Sequence, residues 1–292
     1  MHNLTITDVR EIAGDSAFLI DDGKTAILVD SGFGFTGDAV TARIRKVLGT
    51  RPLDYIFLTH SHYDHVLGAA YVLHAYPNAR VVAGEYAAKI FAKDSAKALM
   101  RELDRKFATA CGVGEYPDRL DSLRVDVAVA DGDVIEAGKL CFEAVALPGH
   151  TKCSMGFYLP ENRLLIGAET LGVYDGEEIL FPCFLVGYRM ALDSIAKARS
   201  LTVDNLLLPH FGLLDRQHTA YYLENAEKAA VETAEAIAKI LRSGGSHTDA
   251  ISYFKDKFYR GRIPEAYPID AMELNTSIMV RVIERELLGE DK

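Results

Sequence analysis

Three histidines and one aspartate are packed into six consecutive positions near residue 60 of this chain. The stretch reads HSHYDH over residues 60–65, and it comes directly after the apolar run Tyr55–Leu58. That run is rich in aromatic and β-branched residues and is bounded by Pro52 and Asp54, a pattern that predicts a buried strand. Ligand and catalytic sites of α/β folds commonly lie at the ends of strands. The position of the cluster therefore predicts a functional site at the edge of a sheet.

Imidazole and carboxylate groups at this density indicate a metal site. In extended backbone, residues two apart point the same way, so His60, His62 and Asp64 share one side. His65 turns to the other side as the next helix begins. Zn²⁺, Fe and Mn accept these ligands, whereas core packing does not call for four such groups together. A polar loop with incidental histidines is the alternative, but the geometry predicts two neighbouring cations.

The pattern His-x-His-x-Asp-His resembles the signature of the metallo-β-lactamase superfamily. Three later segments are similar to further motifs of that family and occur in its order: LPGHT at 147–151, LIGAET at 165–170 and LLPHFG at 207–212. The second of these falls where the family carries an acid that bridges two metals. That acid is usually Asp, and here the candidate is Glu169. The resemblance extends from about Asp30 to His210.

The resemblance implies two divalent transition-metal ions, with zinc expected first and iron or manganese as alternatives. The implied ligands form two groups and a candidate bridge: His60, His62 and His150; Asp64, His65 and His210; and Glu169. The longer side chain of Glu169 leaves three outcomes open, namely a bridge with altered spacing, binding of the second ion alone, or a weak second site. Asp30 is expected either to hold a ligand histidine in one tautomer or to be an ordinary turn residue.

Short strands followed by helices recur twice along the chain. This order predicts an α/β fold, the αββα sandwich of two mixed β-sheets with outer helices that the family has. We predict a single domain over residues 1–292, with a helical C-terminal part from about residue 215. Thr36 is predicted to cap a helix over residues 37–48. Residues 85–110 are predicted to form two helices broken near Asp94, as a solvated layer, a flap or a dimer surface.

The charge balance weighs against nucleic acid as a partner. The chain has 42 acidic and 32 basic residues, a net charge of −10, and no basic stripe. Residues 1–14 lack the pattern of a secretory signal and no run reaches the length of a membrane span, so we expect a cytoplasmic protein without membrane partners. The four cysteines are predicted to be reduced and mostly buried. If the protein associates with itself, a homodimer is the expected form.

The implied chemistry is hydrolysis by a metal-activated hydroxide that attacks the carbonyl of a small ester, thioester or lactone. Asp64 would bind metal and pass a proton to the leaving group. Tyr174 and Tyr188 are candidates for contact with this small-molecule substrate. The alternatives are a phosphodiesterase, or a non-catalytic metal-binding member of the same fold. A redox enzyme of the flavodiiron type is disfavoured because its first motif carries Glu at the position of His62.

Overall fold

The computed structural model describes residues 3–289, and the chain divides into two compact units. The first unit comprises residues 1–146 and 155–162, and the second comprises residues 147–154 and 163–292. The prediction of a single domain is not tested by this division and stays a prediction. Among residues 3–289, no helix combines the length and the apolar character needed to cross a membrane.

A six-stranded mixed sheet forms the centre of the first unit. Its strands, in spatial as well as chain order, are β1 (Thr5–Asp8), β2 (Phe18–Asp21), β3 (Ala26–Val29), β4 (Tyr55–Leu58), β5 (Arg80–Gly84) and β6 (Val127–Val129). The first three strands pair antiparallel, and β3 to β6 pair parallel. Because β3 and β4 are parallel neighbours with Val29 opposite Phe57, the residues that follow both strands emerge at the same edge.

Five helices accompany this sheet: α1 (Gly37–Leu48), α2 (Tyr63–Val66), α3 (Gly68–Ala75), α4 (Glu85–Phe91) and α5 (Asp94–Ala110). The predicted helix over residues 37–48 is confirmed, but the predicted cap is wrong. The Thr36 hydroxyl lies 2.7 Å from Oδ1 of the buried Asp15 and makes no capping hydrogen bond. The break in the helical stretch falls at residues 92–93, just before Asp94.

Three antiparallel strands complete the first unit: β7 (Val134–Ala137), β8 (Leu140–Ala146) and β9 (Met155–Leu159). They pack on the first sheet through aromatic side chains, because the Phe57 ring lies 5.2 Å from Phe142 and 4.7 Å from Phe157 between centroids. All three rings are fully buried. Alternation along β8 turns Cys141 away from this core, so the prediction of mostly buried cysteines is wrong for Cys141, and also for the exposed Cys111.

The second unit contains shorter strands and longer helices. Its strands are β10 (Leu164–Ile166), β11 (Val173–Tyr174), β12 (Leu180–Phe181), β13 (Asn205–Leu208) and β14 (Gly212–Leu214). Strand β13 pairs parallel with β10 and antiparallel with β14, and β11 and β12 form a two-stranded ribbon. Strands β11, β12 and β14, each of two or three residues, were not predicted from the sequence.

The helices of the second unit are α6 (Tyr188–Ser200), α7 (Arg216–Arg242), α8 (His247–Phe258), α9 (Ile263–Ala266) and α10 (Ile269–Ile283). A π-helical turn over Glu284–Leu288 follows α10. The apolar faces of these helices and the ribbon share one core, in which the Phe181 ring lies 5.6 Å from Phe254 and 5.8 Å from Tyr267. Tyr267, which follows α9, belongs to this core. Its hydroxyl contacts Glu169.

Candidate metal centre

The four metal-ligand candidates of the first unit lie close together after strand β4. The His60 ring centroid is 4.6 Å from that of His62 and 4.0 Å from that of His65. Oδ2 of Asp64 is 3.5 Å from Nε2 of His65. His60 and His65 are fully buried, whereas His62 and Asp64 are partly exposed. The motif thus combines two buried and two accessible donors.

The backbone of the motif differs from the predicted extended chain. His62 is extended, with φ −75° and ψ 146°, but α2 begins at Tyr63 and places Asp64 in its first turn. The alternation of side chains therefore ends at His62. The directions of the Asp64 and His65 side chains are therefore set by helical geometry and not by the alternation of a strand.

The carboxylate of Asp30 fixes the orientation of His65. Asp30 follows β3 at the sheet edge where Thr59 follows β4, and its φ of 51° lies in the left-handed region, which Asp tolerates better than most residues. Nδ1 of His65 donates to Oδ2 of Asp30 at 2.7 Å, and the Thr59 backbone N–H donates to Oδ1 at 2.8 Å. A neutral His65 with its proton on Nδ1 has its lone pair on Nε2, the form that binds a metal.

The loop after β3 also holds the backbone of the motif. The Ser31 backbone N–H and hydroxyl donate to the His65 carbonyl at 2.7 and 2.8 Å. Gly68, the first residue of α3, packs so closely on this loop that a Cβ there would lie 1.9 Å from the Ser31 carbonyl oxygen. Glycine at 68 is therefore a condition for this close approach.

A second group of donors lies within the second unit, around the buried carboxylate of Glu169. Oε2 of Glu169 is 2.8 Å from Nε2 of His150, and Oε1 is 3.3 Å from Nε2 of His210. Each carboxylate oxygen thus faces a different histidine.

Two partners of this group were missed by the sequence analysis. The Tyr267 hydroxyl donates to Oε1 of Glu169 at 2.6 Å, and the Cys183 carbonyl accepts from Nδ1 of His150 at 3.0 Å. Tyr267 belongs to no motif, and a backbone carbonyl carries no residue signature. No sequence signal could therefore have identified either contact. The Cys183 carbonyl has the same effect on His150 that Asp30 has on His65, since it directs Nε2 toward the site.

The electrostatics of this group favour a positive charge between His150 and Glu169. Burial raises the pKa of the Glu169 carboxyl, but the adjacent His150 and His210 outweigh it and hold that pKa well below its usual range. Burial lowers the pKa of His150, whereas Cys183 and Glu169 raise it, and the balance lies well above the ordinary value. Because Nδ1 faces the Cys183 carbonyl, Nε2 faces Oε2 of Glu169 at 2.8 Å, where a bound metal cation would take the place of a proton.

The donors in both units fit a divalent transition metal. They are imidazoles and carboxylates, and His65 and His150 each donate from Nδ1 to an oxygen of the type that orients metal-bound histidines. His74 is exposed on α3, and His247 lies at the start of α8, 2.7 Å from Oε1 of Glu284. Both lie outside the two groups of donors.

The two tyrosines proposed for substrate contact are buried within the second unit. The Tyr174 hydroxyl donates to the Glu177 carbonyl at 3.1 Å, and the Tyr188 ring packs on Phe184 at 5.2 Å between centroids. Through these contacts, Tyr174 stabilises the ribbon of β11 and β12, and Tyr188 packs the start of α6. A role toward substrate stays a prediction for both residues.

The aromatic residues beside the motif in the first unit form a continuous set. The Phe33 ring stacks on Phe107 of α5 at 4.7 Å and lies 5.5 Å from Tyr63 of the motif. Phe35 joins the set at 5.0 Å from Phe33. Phe35, Tyr63 and Phe107 are partly exposed, so the set offers accessible apolar surface around Tyr63, the residue before Asp64.

Comparison with known proteins matches the greater part of the chain to one family model. A family model described as "Metallo-beta-lactamase superfamily" matches residues 14–210. The chain is 30% identical over 170 residues to "Glyoxylase B2" of Dictyostelium discoideum, covering 55% of this chain and 53% of that protein. It is 30% identical over 173 residues to a hydroxyacylglutathione hydrolase of Ruegeria pomeroyi, with 58% and 52% covered. The chain thus spans about half the length of these curated relatives.

A solved structure gives the fold. An archaeal metallo-beta-lactamase superfamily protein of Sulfolobus tokodaii superposes with a TM-score of 0.57 at 18% identity, covering 77% of this chain and 86% of that one. This similarity and the family match confirm the predicted fold class, an α/β metallo-β-lactamase fold with mixed sheets and flanking helices.

Proposed function

Because this chain belongs to the metallo-beta-lactamase superfamily, we propose that it is a metal-dependent hydrolase of a small thioester, ester or lactone. The observation that carries the proposal is the buried Glu169 carboxylate, whose two oxygens each face a different histidine. Thioesters come first among the substrates, because the relative from Ruegeria pomeroyi is named for hydrolysis of an acylglutathione, which is a thioester.

The ligand assignment is the one that the family order implies. We propose two divalent ions, zinc before iron or manganese, held by two groups of residues with a shared bridge: His60, His62 and His150; Asp64, His65 and His210; and Glu169. The geometry within each unit supports it, since the first unit gathers its four donors and the second gathers three. Glu169 is proposed as a true bridge, despite its extra methylene.

When bound, such ions lower the pKa of a water toward neutrality and polarise a carbonyl oxygen. The protein's own residues prepare the site for this chemistry. Glu169 supplies a buried negative charge that offsets the cations, and Asp30 keeps His65 in the tautomer that binds metal. Asp64 is partly exposed, so its carboxylate could take a proton from the attacking water and pass that proton to the leaving group.

The aromatic set of Phe33, Phe35, Tyr63 and Phe107 supports a carbonyl substrate over a phosphodiester. It offers apolar area around Tyr63 of the motif, which suits an uncharged acyl group. A phosphodiester would instead need clustered cations, and the chain carries a net charge of −10. We therefore propose that these four rings contact the acyl part of the substrate.

A substrate panel with a ligand variant tests the proposal. Full-length protein loaded with Zn²⁺, Mn²⁺ or Fe²⁺ is assayed on an acylglutathione, p-nitrophenyl esters, a lactone and bis-p-nitrophenyl phosphate, with His150→Ala as the inactive form. We expect turnover of at least one carbonyl substrate that is lost with chelator and in His150→Ala. Activity that survives both treatments would refute a metal-dependent hydrolase, and a preference for the phosphodiester would refute the substrate class.

A further inference from the structure

We propose that Tyr267 is a positioning residue for Glu169, and that it accounts for a glutamate standing where the family usually has aspartate. The inference rests on the proposed metal role of Glu169. It adds a residue from the C-terminal helical part of the chain to the metal centre.

The contact between the two side chains is short and buried. The Tyr267 hydroxyl donates to Oε1 of Glu169 at 2.6 Å, and Tyr267 and Glu169 are only 7% and 2% exposed. Rotation of a glutamate carboxylate about its last bond is otherwise soft. By binding Oε1, the phenol sets this rotation and leaves Oε2 directed at His150, 2.8 Å from its Nε2.

The position of the Tyr267 hydroxyl is itself fixed by packing. The Tyr267 backbone N–H donates to the Ile263 carbonyl at 2.9 Å, and Pro268 follows at the start of α10. The ring meets Phe181 edge-on at 5.8 Å and 89°, and His210 at 5.8 Å and 82°. Two perpendicular contacts leave the ring little freedom, so the hydroxyl is a fixed donor.

The length of the acid matters because the donor does not move. An aspartate at position 169 would withdraw the carboxylate by about one carbon–carbon bond, roughly 1.5 Å. The 2.6 Å contact with Tyr267 would then stretch to about 4 Å, beyond a hydrogen bond. The length of Glu169 and the position of the Tyr267 hydroxyl are therefore matched, and an aspartate at position 169 would lose this hydrogen bond.

Metal binding by the full-length apoprotein tests this pairing without reference to turnover. Zn²⁺ affinity is measured by competition with a chromophoric chelator for wild type, Tyr267→Phe, Glu169→Asp and the double variant, and Co²⁺ spectra report the coordination. Tyr116→Phe is the matched control, because the Tyr116 hydroxyl also donates to a buried carboxylate, Oδ2 of Asp104, at 2.5 Å, and neither residue belongs to the two groups of donors.

We expect Tyr267→Phe to weaken one zinc-binding step by about tenfold and to change the Co²⁺ spectrum, as outer hydrogen bonds to metal ligands generally do. Tyr116→Phe should leave both the zinc affinity and the Co²⁺ spectrum unchanged. Glu169→Asp should cost clearly more affinity in the wild-type background than in the Tyr267→Phe background. Additive effects, or an unchanged affinity in Tyr267→Phe, would overturn the inference.

The outcome separates this inference from the proposed hydrolysis. If no substrate of the panel is turned over but the two substitutions are coupled in zinc affinity, the function fails and the positioning role stands. If turnover is found and the substitutions are additive, the function stands and the positioning role fails. A wild-type protein that takes up no zinc, manganese or iron would overturn both.

Discussion

Replacing Glu169 by glutamine removes one buried charge while keeping the size of the side chain. This charge lies 2.8 Å from Nε2 of His150 and 3.3 Å from Nε2 of His210. Breaking a buried pair by removing one partner costs about 3–5 kcal/mol. We expect the lower end, about 3 kcal/mol, because His150 can release its proton instead of remaining as an isolated charge.

The same substitution should weaken metal binding, since the remaining amide offers no charge to offset a dication. Thermal melting and zinc stoichiometry of Glu169→Gln measure the two effects, with the exposed Glu178→Gln as the control for a charge change alone. We expect a melting temperature lower by several degrees without metal, and one zinc fewer after dialysis. An unchanged melting temperature together with an unchanged stoichiometry would place Glu169 outside the metal centre.

Three further predictions concern other parts of the molecule. His62→Ala and His150→Ala should abolish metal-dependent turnover, whereas the exposed His74→Ala should retain it, and equal losses in a rate assay would contradict the ligand assignment. Gly68→Ala should destabilise the protein by more than about 1 kcal/mol in denaturant unfolding, because its Cβ would lie 1.9 Å from the Ser31 carbonyl oxygen. Burial raises the pKa of Asp104 to about 6, against the opposing hydrogen bonds from Tyr116 and Gly34. The folded state therefore holds this proton up to a higher pH than the unfolded state does, so the contribution of Asp104 to stability should fall by about 3 kcal/mol between pH 4 and pH 6. Asp104→Asn should remove this fall from the pH dependence of unfolding, and identical pH profiles for the two proteins would argue against it.

The sequence by itself determined the fold class and the candidate ligands. The HSHYDH motif is local and follows an apolar run, so both its chemistry and its position at a strand end can be read without coordinates. Long helices such as α1 and α7 are periodic enough to be predicted almost to the residue, with α7 beginning one residue after its Asp215 cap. The three later motifs were recognised because they occur in the order that the family has, and not from their spacing alone.

Only the tertiary structure decided which groups hold those ligands in place. The contact of Tyr267 with Glu169 joins residues 98 positions apart, and the contact of the Cys183 carbonyl with His150 involves no side chain of residue 183. The Thr36 hydroxyl donates to a buried aspartate instead of capping its helix. Local propensity sets the period and ends of an element, but partners across the chain are chosen by packing, because a buried polar group must find its hydrogen bond wherever the fold has brought a donor or acceptor within reach.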